Sequence, residues 1–480
     1  MPGQPVDVPE WVQDAVFYQI FPDRFAQGAD VPKPVGLEPW DTPPSVHGYK
    51  GGDLHGVAER LEHLQALGVT ALYLNPVFQS ASNHRYHTHD YHHVDPMLGG
   101  DQALRALLDA AHALDMRVVL DGVFNHASRG FLQFNDILEN GEHSAYLDWF
   151  SVRRFPLNAY GGGELGYDAW WNLPALPKLN TATPAVREFL WDVGERWLAF
   201  GADGWRLDVP NEIDDAVFWR EFRRRCRAVR PDCYLVGEIW EDAQRWLGGD
   251  QFDAVMNYPL TRAIYGFVGR ALADSELARS GLRRIRPLDA AGFAEALEAL
   301  LERYPREIVH AQLNLLGSHD TPRARTVLLE DDAALQVAYL LLFTLPGAPC
   351  IYYGDELGLT GGHDPGCRNS MPWDDPATWD RELLARLTRL AGLRRDHAAL
   401  RRGDTKVLLA DGTVLAYART GGDERLLVVV NVGTEAAELP ADAPLRGRFR
   451  ELQSGESLEL VPGTSRLPAQ TGWLLQSGGD

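Results

Sequence analysis

Apolar residues along this chain follow two rhythms, with the change at about residue 400. Up to there, short apolar runs of strand length alternate with stretches whose apolar residues return every three or four positions. The runs are 15–21, 69–74, 117–124, 203–209, 234–239, 254–258, 311–316 and 349–353. Between them, Val57, Leu61, Leu64 and Leu67 before Gly68, or Val186, Phe189, Leu190, Val193 and Trp197 before Gly201, carry helical spacing. Eight strands separated by helices predict a closed parallel α/β barrel. Past residue 400 the period falls to two, in 406–409, 414–418, 426–430 and 457–461. Asp411-Gly412, Gly421-Gly422 and Pro462-Gly463 separate these segments and predict an antiparallel all-β domain. One interval breaks the first rhythm: residues 127–183 hold Tyr160-Gly161-Gly162-Gly163 and Trp170-Trp171 with little helical period. A long excursion from a barrel rim is more often functional than decorative. The expected layout is a barrel from 1–126 and 184–400, an insertion at 127–183 and a β domain at 401–480.

Composition narrows the partners. At 480 residues and 45% hydrophobic content the chain can bury a large core. A formal net charge of -21 argues against a nucleic-acid backbone and for a neutral ligand. Cys226, Cys233, Cys350 and Cys367 fit neither a zinc site nor a disulfide framework and are expected reduced and buried. The residues before Trp11 have no secretory pattern, which places the protein in the cytoplasm. The longest apolar stretch, 338–345, falls well short of the roughly 20 residues of a membrane span, so no membrane segment is expected.

The candidate chemistry sits at strand ends. In Gly204-Trp205-Arg206-Leu207-Asp208-Val209 the two charged residues share one face of a strand, and a guanidinium beside a carboxylate keeps the acid ionised. Glu238 closes the next strand, His319-Asp320 a later one, and Asp121 with Asn125-His126 an earlier one. Four acids, two imidazoles and an arginine, without a phosphate-binding glycine loop, suit acetal chemistry. Asp208 is then the nucleophile. Glu238, with no adjacent cation and two acids nearby, has its pKa raised and is the acid and base. Asp320, His126 and His319 hold sugar hydroxyls. Retention requires the two working carboxyls about 5 to 5.5 Å apart. Taken singly, each motif is as well explained by a structural ion pair or a capped turn; their recurrence at successive strand ends is not. For Trp170, Trp171 and Trp246, packing and sugar stacking stand level. His84, His87, His89, His92 and His93 lack tight ligand spacing and are expected as polar rim residues.

These segments resemble the four signature regions of the α-amylase family, in order: 121–126, 204–208, 237–240 and 318–320. The resemblance implies a (β/α)8 TIM barrel, an inserted domain B and a C-terminal antiparallel β-sandwich. It implies Asp208 as nucleophile, Glu238 as acid/base and Asp320 as transition-state stabiliser. Leu176-Pro177-Lys178-Leu179-Asn180, Asn83-His84-Arg85-Tyr86, the segment 252–259 and Asp364-Pro365-Gly366-Cys367-Arg368 are similar to cyclomaltodextrinases, neopullulanases and maltogenic amylases. By that similarity Tyr86 stacks on the cleaved sugar, Asp364 and Arg368 hold its non-reducing side, and Ile239, Trp240, Met256 and Tyr258 border the acceptor. Asp121 and Arg206 count among the substrate-binding residues.

Three departures from that group carry expectations. The barrel begins almost at once, where the group has an additional β domain that drives dimerisation, so a monomer with an open cleft is expected. In the loop 25–33, Gln27 and Lys33 spoil the oxygen cage that Ca²⁺ demands; Asp53 is left as a weak calcium candidate and no cofactor is required. Glu241 stands where many relatives have histidine. The expected activity is retaining hydrolysis of α-1,4 bonds in maltooligosaccharides, cyclodextrins, starch or pullulan. The alternatives are a 4-α-glucanotransferase with the same intermediate and a catalytically retired sugar-binding protein.

Overall fold

The computed structural model describes residues 6–29, 31–33, 36–283 and 285–477. All eight expected runs form strands: Phe17–Ile20, Ala71–Leu74, Arg117–Gly122, Gly204–Leu207, Tyr234–Gly237, Ala254–Val255, Leu313–Leu315 and Ala348–Tyr352. Neighbours in this order pair in parallel, and the last strand pairs with the first. A parallel bridge from Met256 to Leu313, with the Asn257 N–H bonded to the Leu313 carbonyl at 2.8 Å, joins the sixth strand to the seventh and closes the barrel. The strands stop short of the acids: Asp208, Glu238 and Asp320 lie just past their C-terminal ends, the rim where such barrels place chemistry.

Helices start where an acid or amide is available as a cap. Asp53, Asp215, Asn257, Asp289, Asp331 and Asp380 each accept a backbone N–H of the following turn, an interaction worth about 1 kcal/mol at each helix. The apolar stretch at 338–345 is the buried C-terminal half of the helix Asp332–Thr344 with its cap Leu345. Among the described residues no helix is long and apolar enough to cross a membrane.

The C-terminal strands form a six-stranded antiparallel sheet in the order Asp404–Asp411, Val414–Gly421, Glu424–Asn431, Thr471–Ser477, Gly447–Glu451, Ser457–Leu460. Alternation gives it two apolar faces. Leu415, Tyr417, Leu426, Val428 and Leu474 join the barrel's core, whereas Ala416, Val429, Phe449 and Leu475 build a smaller core on the other side. At Gly472 the sheet touches the barrel helix so closely that a Cβ would lie 2.4 Å from Leu340 Cδ2.

Two elements are not visible in the residue pattern. The strands Phe78–Ser80 and Thr88–Val94 form a hairpin whose register slips twice, so the buried residues Thr88, Tyr91 and Val94 fall three apart and leave no period of two. Inside 127–183, Leu132–Asn140 is a helix that buries only Phe134 and Ile137. Phe134 packs edge-on against Phe150 and Tyr167, which anchors the excursion.

Two buried arginines have main-chain oxygens as acceptors and, among the described residues, no carboxylate partner: Arg394 ties barrel elements to one another, and Arg419 ties the sheet to the barrel. Arg394 donates to the carbonyls of Gln13, Phe343, Gly347 and Leu400 at 2.7–3.3 Å. Arg419 donates to Thr344 O and to Gly403 O. Burial pushes Arg394 down to about 9 and Arg419 to about 10. The variant Arg394→Ala leaves four carbonyls without their donor and should lose about 3 kcal/mol of stability, read as a lower urea midpoint with an unchanged slope.

Candidate active site

Arg206 is the centre of the site. It sits opposite Asp121 in the register of the third and fourth strands, so the two side chains meet inside the barrel mouth. The guanidinium is fully buried. Its Nη1 donates to both oxygens of Asp121 at 3.0 Å and to Asp208 Oδ1 at 3.0 Å, while Nη2 lies 2.8 Å from Glu238 Oε2. The expectation that Glu238 has no adjacent cation is therefore corrected. Arg206 reaches it across a neighbouring strand, a contact that sequence adjacency does not reveal. The Arg206–Glu238 contact is close but poorly aligned for a hydrogen bond. Glu238 takes its directed donors from the Val209 N–H at 3.2 Å and from Trp240 Nε1 at 3.1 Å. Val209, a β-branched residue, is held at φ 34° to present that N–H, an uncommon conformation whose strain is local to the site.

Charge crowding follows from this geometry. Burial pushes both Asp208 and Glu238 above the usual carboxylate range; Arg206 pulls both back, and Asp320 adds to the repulsion. Chain adjacency places a cation beside Asp208 alone. Instead the two acids share one cation and titrate together. Asp320 behaves oppositely: burial pushes it up, but His319, Arg368 and Arg206 outweigh that and hold it well below the carboxylate range.

A hydrogen-bond relay sets these groups in place. Gln19 Nε2 donates to His319 Nδ1 at 2.9 Å and to Asn75 Oδ1 at 3.1 Å. Asn75 donates to the Tyr86 hydroxyl, which donates to Asp121 Oδ2 at 2.8 Å. With Nδ1 accepting, His319 carries its proton on Nε2, 3.0 Å from Asp320 Oδ2. Tyr86 lies flat against His319, 5.2 Å between ring centres and 6° between planes. Arg368 donates to His319 O and Asp320 Oδ1 and pairs with Asp364 at 2.9 Å. Burial pushes His126 down to about 3, so its ring is neutral; among the described residues its Nε2 has no partner.

Above this network opens a cleft of about 840 Å³. Of the expected substrate-binding residues, Tyr86, His126, Trp240, His319, Asp364 and Arg368 face it, together with Asp208, Glu238 and Asp320. Asp121, Arg206, Met256 and Tyr258 do not line it and are buried beneath. Asp121 spends its oxygens on Arg206 and two tyrosines, the second being Tyr73. Met256 Sδ lies 3.5 Å from Arg206 Nε, and Tyr258 stacks under Trp240 at 3.6 Å. These four support the site from below because their partners already occupy their polar or flat faces. Residues that motif reading passes over also line the cleft: Val209, Arg262, Ser280 and Gly281. The last three lie on helices and loops after the sixth strand, where no spacing marks them.

Asp53, the calcium candidate, already has partners within the protein. Asp53 is buried, caps the helix Leu54–Glu59, accepts the Gly28 N–H at 2.8 Å and pairs with the Lys33 ammonium. Asp30, also in that loop, lies outside the described residues. Among the described residues no cluster of His, Cys, Asp and Glu could hold a metal.

A family model described as "Alpha amylase, catalytic domain" matches residues 19–402. The chain belongs to the α-amylase family. It is 45% identical over 445 residues to a cyclomaltodextrinase from Geobacillus thermopakistaniensis, covering 92% of this chain and 72% of that protein. Among solved structures, Ttha1563 from Thermus thermophilus is 50% identical with a TM-score of 0.92, over 98% of this chain and 100% of that one. A debranching enzyme from Nostoc punctiforme is 44% identical with a TM-score of 0.87, over the same shares. This α-amylase-family chain is thus a glycoside hydrolase with the family's barrel and C-terminal sheet. Since one planar fork holds three carboxylates, Arg206→Lys should lower kcat/KM on maltotriose by about 100-fold, with an unchanged circular dichroism spectrum as the folding control.

Proposed function

We propose that the enzyme is a retaining hydrolase of α-1,4 bonds in maltooligosaccharides and cyclodextrins, acting through a glucosyl ester on Asp208. The observation that carries this is the shared guanidinium. Arg206 anchors Asp208 by one oxygen, and among the described residues no protein donor reaches the other, Oδ2. Glu238 is held beside it by Val209 and Trp240. Oδ2 attacks the anomeric carbon as Glu238 passes its proton to the glycosidic oxygen and the C–O bond breaks. Glu238 then takes a proton from water, whose oxygen displaces Asp208. Asp320, ionised over the working range, accepts hydroxyl hydrogen bonds and balances the positive charge that develops on the ring. The substrate class is supported by the cyclomaltodextrinase relative. Four free, buried thiols among the described residues fit an intracellular setting.

A second reading follows from the likeness to a debranching enzyme: cleavage of α-1,6 bonds. Pullulan separates the two, since cutting its α-1,4 bonds yields panose-type trisaccharides and cutting its α-1,6 bonds yields maltotriose. We further propose that no calcium is needed, because the Lys33 ammonium already neutralises Asp53.

Three outcomes are expected. Proton NMR of the first product should show the α-anomer, with Asp208→Asn inactive and Glu238→Gln slowed by about 10² to 10⁴; a β-anomer contradicts retention. The active pair holds one proton, so activity falls in acid when both carboxyls are protonated and in alkali when both are ionised. Because burial raises both, the alkaline limb of kcat/KM should lie above the ordinary glutamate value of about 4.3, and a decline already complete at about pH 5 would refute the shared-proton account. Excess EDTA should leave the melting temperature where added calcium leaves it.

A further inference from the structure

Where the excursion meets the end of the third barrel strand, the cleft wall carries three parallel rings. His126 lies on Trp170 at 5.1 Å and 11°, and Trp170 lies on Trp171 at 4.3 Å and 14°. All three line the cleft that holds Asp208 and Glu238. The innermost ring is buried with an unpartnered Nε2, whereas Trp171 is 77% exposed. A packing role does not explain Trp171, for a ring in a core has both faces covered and this one has its outer face open. Its backbone is unusual as well. Trp171 stands at φ 49° and Asn172 at φ 56°, left-handed values that bulky L residues avoid. The turn is held there by the Trp170 N–H to Leu176 O, the Asn172 N–H to Ala169 O and the Leu173 N–H to Trp170 O. A disfavoured conformation maintained by surrounding bonds, displaying an apolar ring to water beside a catalytic cleft, is a feature to expect at a ligand platform.

We propose that the outer face of Trp171 is a stacking subsite for a glucosyl unit of an α-glucan longer than maltotriose, remote from the bond being cut. The inference rests on the α-glucan hydrolase reading above and extends it to chain-length preference. A pyranose presents a flat face of C–H bonds to the negative face of the indole. Trp170, clamped between His126 and Trp171, fixes the plane of the platform relative to the catalytic wall. The subsite therefore needs no loop closure and adds affinity only for substrates long enough to reach it.

The experiment uses the purified full chain, its Trp171→Ala, Trp171→Tyr and Trp171→Gly variants, and maltotriose and maltoheptaose as substrates. The ratio of kcat/KM on maltoheptaose to that on maltotriose should fall by about tenfold in Trp171→Ala, mostly through KM, and should largely survive in Trp171→Tyr. Trp171→Gly, free to adopt the left-handed turn, should melt no lower than the parent yet lose the same ratio. An unchanged ratio in both Trp171→Ala and Trp171→Gly overturns the proposal, as does an equal loss on the two substrates, which marks a structural role. Failure of the parent enzyme to cleave either oligosaccharide overturns the hydrolase reading and this subsite together.

Discussion

A single buried guanidinium sets what every other part of this site can do. Arg206 is a permanent charge with no access to water, and it is tolerable only because carboxylates surround it. Those carboxylates outnumber it, so the cluster cannot lose every proton cheaply. In the proposed mechanism this repulsion keeps a proton available on Glu238, the group assigned to donate one, without a dedicated proton source. The relay from Gln19 through Asn75 and Tyr86 to Asp121 fixes the same guanidinium from the opposite side of the barrel. Orientation and electrostatics thus have one origin.

Much of this is legible in the residues because strands translate sequence spacing into faces directly. Arg206 and Asp208, two apart, point the same way; Glu238 and Asp320 follow apolar runs that could only be barrel strands. The cation at Glu238 is not legible, since it comes from a side chain on the neighbouring strand and depends on register, with Arg206 opposite Val236. Nor can apolar identity say that Met256 and Tyr258 lie beneath the cleft while Trp240 faces it. Depth is a tertiary property, settled here by the stack of Tyr258 under Trp240.

The hairpin at 78–94 and the helix at 132–140 escape the residue pattern for a related reason. Both sit on the barrel's rim, where one side faces solvent and the other meets an irregular surface, so burial follows neither a period of two nor of 3.6. Sequence alone leaves Trp171 open between packing and stacking, and only its solvent exposure and backbone angle distinguish the two.

The seam between sheet and barrel has its own logic. Arg394 and Arg419 bind main-chain oxygens alone, and every amino acid supplies such an oxygen. Gly347 is held to glycine by its φ of 112° and by the Asn314 side chain, whereas Gln13, Phe343 and Leu400 serve Arg394 inside the barrel through their carbonyls alone, and Thr344 serves Arg419 at the seam in the same way. Tolerance of that kind leaves the outer sheet free to acquire new surface chemistry over evolutionary time while the catalytic half stays undisturbed.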